Sequence, residues 1–87
     1  MTASWRVSEV QVVGDHAVRV RFRDGLEGTV RFESGFFRGV FKHLAEPSEF
    51  RRVTVANGAV TWPGELDLAP DAMHREIKAR GEWIVEA

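Results

Sequence analysis

The chain has 87 residues, with 12 lysines and arginines against 13 aspartates and glutamates, and 44% of it is hydrophobic. This length allows one domain, spanning residues 1–87, and the hydrophobic fraction is too high for a disordered chain. The absence of cysteine excludes a disulfide framework, a zinc–thiolate site and a cysteine nucleophile. The formal net charge of −1 argues against a general nucleic-acid binder or a polybasic membrane-associated protein.

The sequence contains no recognisable targeting signal. Arg6 and Glu9 interrupt the N-terminal region, so it cannot supply the apolar core of a signal peptide. No apolar run approaches the ~18 residues that a membrane-spanning helix needs. A chain without cysteine is typical of a reducing compartment, so we expect a cytoplasmic protein.

The first predicted element is a strand over about residues 5 to 13. Its apolar residues change parity between Val7 and Val10. One extra residue near Ser8 and Glu9 would restore the alternation, so the pattern predicts a β-bulge there. Residues 14 to 16 are expected to form the turn into the second strand.

The second and third strands form a predicted hairpin around Asp24-Gly25. Their apolar positions alternate with polar ones and are Val18, Val20, Phe22, Val30 and Phe32. A two-residue loop would place apolar residues opposite polar ones, which half-buried strands avoid. A three-residue loop, with Gly25 in the left-handed conformation, keeps like opposite like and pairs Arg21 with Glu27.

A second hairpin is predicted around Asn57-Gly58. This dipeptide suits a two-residue type I′ turn, in which both central residues need a positive φ. The resulting register places Val55 opposite Val60 and Thr54 opposite Thr61, so apolar residues meet apolar ones and polar residues meet polar ones.

Residues 34 to 50 connect the two hairpins and read as a compact crossover. Apolar residues recur there at spacings of three and four, which predicts one or two short helical turns that pack on the sheet. They are Phe36, Phe37, Val40, Phe41 and Leu44. Pro47 interrupts this segment.

The last predicted element is a helix that begins at Pro70 and ends before Gly81. Proline suits a first helical turn, and glycine is the preferred residue just after a helix. Met73 and Ile77 mark its buried face. Residues 82 to 87 are expected to form a tail.

Together these elements predict an α+β fold. It comprises a mostly antiparallel sheet of four or five strands in two hairpins, short helical turns in the crossover and a C-terminal helix.

Four segments, taken in order, resemble a known family. They are residues 20–25, 39–47, 53–55 and 62–73. The most specific part is Trp62-Pro63 followed by Asp67-Leu68-Ala69-Pro70-Asp71. From about Trp5 to Gly81 the chain is similar to the bacterial family called domain of unknown function 2442. The resemblance implies an α+β domain with a mostly antiparallel sheet and a C-terminal helix, and it supplies no catalytic residues.

The resemblance also bears on function. Some relatives carry an appended helix-turn-helix, whereas others are encoded beside another small protein in the manner of toxin–antitoxin pairs. Because this chain ends soon after Gly81, we do not expect a direct transcriptional role. A protein partner from a neighbouring gene is the expectation that the resemblance supports.

A row of arginines is the first candidate site. It consists of Arg19, Arg21 and Arg23 on one strand and Arg31 on the next. These residues share one face, which could form a positive patch for nucleic acid or an acidic partner. The alternative is a solvated sheet face, partly neutralised by Glu27 and Glu33.

The loop that leads into the last helix is the second candidate. Glu65, Asp67 and Asp71 lie within it or just beyond it and could bind a partner or a cation. The alternative is structural, with Trp62 and Leu66 anchoring the loop while Asp67 or Asp71 caps the helix. No EF-hand spacing is present, so we expect no metal.

The histidines do not indicate catalysis. His16, His43 and His74 lack the spacing of metal ligands. We expect His16 in a turn and His74 on an exposed helix face. A nucleophile built from His43 with Ser34 or Ser48 would need an orienting acid and an oxyanion hole, which nothing in the sequence marks.

An aromatic cluster in the crossover is the last candidate. Phe36, Phe37 and Phe41, together with Gly35 and Gly39, could line a small apolar pocket. The alternative is that these side chains are part of the core.

The sequence therefore favours a non-enzymatic protein-interaction or regulatory module, resembling the antitoxin half of a two-protein pair, with no cofactor. The residues expected to bind a partner are Arg19, Arg21, Arg31, Trp62, Glu65 and Asp67. The alternatives are a nucleic-acid-binding module that uses the arginine-rich face and a small-ligand binder. A homodimer is a further expectation, because free sheet edges can pair with a second copy.

Overall fold

The computed structural model of the protein describes residues 5–37, 39–64 and 66–85. The strands are β1 (Val7–Gly14), β2 (Ala17–Phe22), β3 (Glu27–Phe32), β4 (Thr54–Ala56), β5 (Ala59–Trp62), β6 (Leu66–Asp67) and β7 (Glu82–Val85). The α-helices are α1 (Pro47–Phe50) and α2 (Pro70–Arg80), and 3₁₀ helices span Ser34–Phe36 and Gly39–Ala45. In the part of the chain so described, no helix has the length and apolar character needed to cross a membrane.

The strands form two sheets. The larger sheet has the order β1-β2-β3-β7, and the smaller sheet has the order β4-β5-β6. Every pairing is antiparallel except that of β3 with β7, which is parallel. The α+β class with a mostly antiparallel arrangement is confirmed, and the described residues contain seven strands where the sequence indicated four or five.

The β2–β3 hairpin has the predicted three-residue loop. Arg21 lies opposite Glu27, and Val18 lies opposite Val30. Gly25 has a φ of 93°, so it occupies the left-handed position that glycine adopts without steric cost. The register keeps the valines on one face of the sheet and the charged side chains on the other.

The predicted bulge in β1 and the predicted type I′ turn are both confirmed. The register of β1 against β2 shifts between Val7 and Glu9. In the second hairpin, Asn57 and Gly58 have φ values of 54° and 77°, and Val55 lies opposite Val60.

The turn of the second hairpin lies against the start of β1. The N–H of Val7 donates to the carbonyl oxygen of Gly58 over 2.9 Å. The guanidinium of Arg6 donates to the carbonyl oxygen of Asn57 over 3.2 Å. These bonds tie the smaller sheet to the edge of the larger one.

The prediction of a C-terminal tail is wrong, because Glu82–Val85 forms the strand β7. Gly81 has a φ of 83°, and its N–H donates to the carbonyl oxygen of Ile77, which ends α2 in a left-handed cap. The chain then runs alongside β3, with Trp83 opposite Val30. A segment of four residues is too short for its hydrophobic alternation to predict a strand, so β7 is recognised only from its pairing with β3.

The core lies between the larger sheet and a second layer. That layer consists of α2, the crossover and the smaller sheet. Met73 and Ile77 face the core from α2, as predicted, and both are almost fully buried. The crossover has the short helical turns that the spacing predicted, and Pro47 begins α1.

Trp62 is central to this core. Its side chain is 1% exposed, and its indole N–H donates to the carbonyl oxygen of Phe50 over 2.8 Å. Its ring lies 5.8 Å from that of Phe32 and 5.7 Å from that of Phe50, in the range of favourable aromatic contacts. One side chain thereby joins the smaller sheet, the crossover and the larger sheet.

We expect Gly28→Ala to destabilise the fold. A Cβ at position 28 would lie 2.5 Å from Cγ2 of Ile77 and 2.8 Å from the carbonyl oxygen of Gly81, so α2 would have to move. Overpacking of this kind costs about 1–3 kcal/mol, measurable as a lower free energy of unfolding in urea. Gly14→Ala is the control, because its Cβ would lie 3.6 Å from that of Ala17, an ordinary contact. Equal effects would contradict this account.

We also expect Trp62→Phe to destabilise the fold by about 1–3 kcal/mol, because the buried carbonyl of Phe50 would lose its donor. Denaturation midpoints would report the change. Trp5→Phe is the matched control at a tryptophan that is 39% exposed, where little effect is expected. An unchanged midpoint for Trp62→Phe would show that the indole hydrogen bond adds no stability.

Candidate functional site

The face of the larger sheet that points away from the core is open to solvent. We call it the outer face. It consists of Glu9, Gln11, Arg19, Arg21, Glu27, Thr29, Arg31, Glu82 and Ile84. Arg19, Arg21 and Arg31 are all exposed, so the structure brings these predicted partner-binding residues together on one surface.

Carboxylates from neighbouring strands accompany these arginines. Arg21 lies between Glu9 of β1 and Glu27 of β3 in the registers of the two pairings. The guanidinium of Arg19 lies 3.7 Å from the carboxylate of Glu27. Towards β7, the guanidinium of Arg31 lies 3.0 Å from the carboxylate of Glu82. The outer face is therefore of mixed charge, and the uniformly positive patch that nucleic acid would require is not formed.

The ion pairing on this face is diagonal. The sequence predicted a direct contact of Arg21 with Glu27, and their register is confirmed. The carboxylate of Glu27 instead pairs with the guanidinium of Arg19, which lies two positions before Arg21 on β2. Diagonal neighbours lie within reach of long side chains on adjacent strands. Both side chains are about half exposed, so this pair contributes little to stability.

A shallow depression lies at one end of the outer face. It has a volume of about 350 Å³ and is open to solvent. The charged residues that line it are Glu9, Arg19, Arg21 and Glu27. Such a surface can make charge-assisted hydrogen bonds with a partner but cannot enclose a small molecule.

The second predicted site, the loop before α2, does not form a cluster with the arginines. Trp62 is buried in the core and offers no surface to a partner, which corrects its assignment as a partner-binding residue. Asp67 lies on the smaller sheet, where its carboxylate accepts a hydrogen bond from the hydroxyl of Thr61. Glu65 lies outside the described residues.

The prediction that Asp67 or Asp71 caps α2 is wrong. The N-cap is Ala69, which makes no side-chain capping bond. Asp67 is held in β6, and Asp71 lies inside the first turn. Pro70 at the first helical position has no N–H, so the first turn has one unsatisfied donor fewer.

The structure contains a partly exposed Asp–His pair that the sequence did not indicate. Nε2 of His74 donates to Oδ2 of Asp24 over 2.8 Å, and the His74 side chain is only 12% exposed. The prediction of an exposed His74 is therefore wrong. Its ring packs edge-on against Phe22 at 4.8 Å. The pair links α2 to the β2–β3 turn, and no local pattern could reveal it because the two residues are 50 positions apart.

The pair lowers the pKa of Asp24. The hydrogen bond from His74 is the largest cause, followed by that from the backbone N–H of Leu26, and both favour the ionised carboxylate. The pair joins α2 to the β2–β3 turn and packs on Phe22. Its geometry is that of a structural clamp.

The aromatic cluster of the crossover belongs largely to the core. Phe36 is buried and packs against Phe41 at 4.6 Å. A hollow of about 490 Å³ lies beside it, next to Phe37, Lys42 and His16. His16 is in the predicted turn, where its Nε2 donates to the carbonyl oxygen of Ala45 over 2.9 Å. The hollow is wide open, unlike the enclosed pockets that bind small ligands.

Among the residues that the structure describes, no group of three histidines, aspartates or glutamates is arranged to hold a metal. The family model described as "Protein of unknown function (DUF2442)" matches residues 7–79, and the chain belongs to this family. No curated protein and no solved structure matches the chain.

The Asp24–His74 pair predicts a pH dependence of stability. Because the folded pKa of Asp24 lies below its ordinary value of 3.8, its carboxylate stabilises the fold above pH 3.8. That contribution is lost as the pH falls through the folded pKa. Asp24→Asn should therefore flatten the acid side of the stability curve, measured as the free energy of unfolding against pH.

The control for this measurement is Asp15→Asn, at an exposed turn residue with no recorded side-chain partner in the described part of the chain. It should leave the acid dependence close to that of the parent protein. If the stability curve of Asp24→Asn matches that of the parent protein, the Asp24–His74 pair is not the cause of the acid dependence.

Proposed function

We propose that this protein is a non-enzymatic interaction module that binds a partner protein through the outer face of its larger sheet. The observation that carries the proposal is that Arg19, Arg21 and Arg31 lie exposed on one uncovered face beside carboxylates. Arginine is enriched where proteins bind each other, because its planar guanidinium pairs with carboxylates and packs on flat surfaces.

Mixed charge suits a protein partner better than a polyanion. Alternating acidic and basic groups can be matched by a partner with the complementary pattern, which fixes its register and excludes others. A nucleic-acid backbone, by contrast, would meet Glu9, Glu27 and Glu82 together with the arginines. Exposed Ile84 adds an apolar contact at one side of the same face.

The family resemblance supports a specific form of this proposal. Relatives encoded beside a second small protein resemble toxin–antitoxin pairs, so the partner proposed here is the product of the neighbouring gene. The protein would then act as the antitoxin-like or regulatory half of the pair, in the cytoplasm. Binding would inhibit or localise the partner without any chemistry by this chain.

The test is co-purification of the chain with the neighbouring gene product, with a variant that removes charge from the face. Arg19→Thr with Arg21→Thr keeps residues that favour strands. It should weaken the complex by about tenfold or more, because a single arginine in an interface can contribute about 2 kcal/mol. Calorimetric titration would give the affinities.

The control is the double variant Arg51→Thr with Arg52→Thr. Both arginines are exposed, follow α1 and are not among the residues of the outer face, so the net charge changes equally without touching the proposed surface. Equal affinity of both variants would count against the outer face. Absence of any complex, with no effect of co-expression on growth, would contradict the function itself.

A low-salt electrophoretic shift with DNA and RNA separates the proposal from nucleic-acid binding. We expect no shift. A salt-dependent shift that the Arg19→Thr, Arg21→Thr variant abolishes would favour nucleic acid instead.

A further inference from the structure

The strand β7 presents an open backbone edge. It is the last strand of the larger sheet, and in the described part of the chain no strand lies beyond it. The N–H of Glu33 donates to the carbonyl oxygen of Val85 over 3.0 Å, so the backbone groups of Val85 face β3. Those of the preceding residue, Ile84, point the opposite way, because successive residues of a strand bond to opposite sides. The N–H and C=O of Ile84 are therefore directed to the open edge.

The side chains at this edge form a groove. It has a volume of about 350 Å³ and includes residues from both faces of β7, so it follows the line that an added strand would take. Its lining residues are Glu33, Glu76, Arg80, Glu82, Trp83 and Ile84. Ile84 is a large aliphatic side chain on this edge and is 46% exposed.

The charge around the groove is mainly acidic. Glu33, Glu76 and Glu82 contribute carboxylates, and Arg80 is the only basic residue among those lining it in the described part of the chain. Arg80 is itself 3.9 Å from the carboxylate of Glu76, and the carboxylate of Glu82 lies 3.0 Å from the guanidinium of Arg31 on β3. Among the described residues, Glu33 is thus the groove carboxylate that makes no ion pair. A second copy offers this groove no charge complementarity, since its own β7 edge carries the same excess of carboxylates.

We propose that β7 accepts an extended basic segment of a partner protein as a fifth strand of the larger sheet. The backbone of Ile84 hydrogen-bonds the added strand. Ile84 packs against an apolar residue of that strand, and the carboxylate of Glu33 attracts its lysines or arginines. This is β-strand addition, in which main-chain bonds supply affinity and side chains supply selectivity. The inference rests on the proposed function and names the chemistry of its partner. The edge also lies outside the family match, which ends at residue 79.

The test is a titration of the isotope-labelled full chain with a short peptide in which lysine alternates with valine, followed by nuclear magnetic resonance. The expected result is shift changes centred on β7, with the amide of Ile84 newly protected from exchange. A peptide with glutamate in place of lysine should bind much more weakly. N-methylation of alternate residues, which removes edge hydrogen bonds, should abolish binding.

Variants of the chain test the groove directly. Glu33→Lys should lower the affinity for the lysine–valine peptide by about fivefold, since it removes one exposed attraction and adds a repulsion. The matched control is Glu46→Lys, at an exposed glutamate before α1 that makes no capping bond, and it should have no effect. Ile84→Thr keeps a β-branched residue in the strand and should weaken binding through lost apolar contact.

Three results would overturn the inference. The first is that the lysine–valine peptide does not bind at low salt. The second is that the glutamate peptide binds as tightly as the lysine–valine peptide. The third is that the shift changes lie away from β7. None of these tests the function itself, which the neighbouring gene product tests separately. The two surfaces can also be separated with the neighbouring gene product. If the Arg19→Thr, Arg21→Thr double variant weakens that complex and Glu33→Lys does not, the outer face is the binding surface and the edge is not.

Discussion

The close approach of α2 to β3 is the constraint on which the rest of the structure depends. The helix can lie this near because Gly28 has no side chain where Ile77 and the carbonyl of Gly81 meet the strand. That position fixes where α2 ends, and the left-handed Gly81 then directs the chain alongside β3. The edge strand β7 and the acidic groove beside it therefore follow from a missing side chain on the neighbouring strand. The same docking places His74 against Asp24 and so fixes the β2–β3 turn.

Local chemistry made much of the fold predictable. Asn57-Gly58 and Asp24-Gly25 determine turn types through the φ values that they allow, and the turn type sets the register of each hairpin. The bulge in β1 follows from the parity of its apolar residues. The start and end of α2 follow from Pro70 and Gly81. The β7 strand and the Asp24–His74 pair could not be predicted, because each depends on residues about 50 positions apart in the chain.

The candidate site was predictable only in part, for a related reason. Arg19 and Arg21 alternate with valines in the sequence. Because successive side chains of a strand point to opposite faces, this alternation alone shows that the two arginines share a face. The charge of that face depends on Glu9 and Glu82, which come from the two outer strands of the sheet. A basic row in one strand thus became a mixed surface once its neighbours were in place. Trp62 shows the opposite error, since an aromatic residue next to a polar loop can lie at the centre of the core.

The parallel pairing of β3 with β7 has a consequence for the order of folding. Thr29 pairs with Glu82, far along the chain, and the intervening residues form the crossover, the second hairpin and α2. Contacts of such long sequence separation form slowly, because closing the loop costs entropy before any pairing energy is gained. Until then β3 is itself the edge of a three-stranded sheet. During synthesis, the inner strand of the finished sheet is thus exposed to other chains until the residues of β7 have emerged.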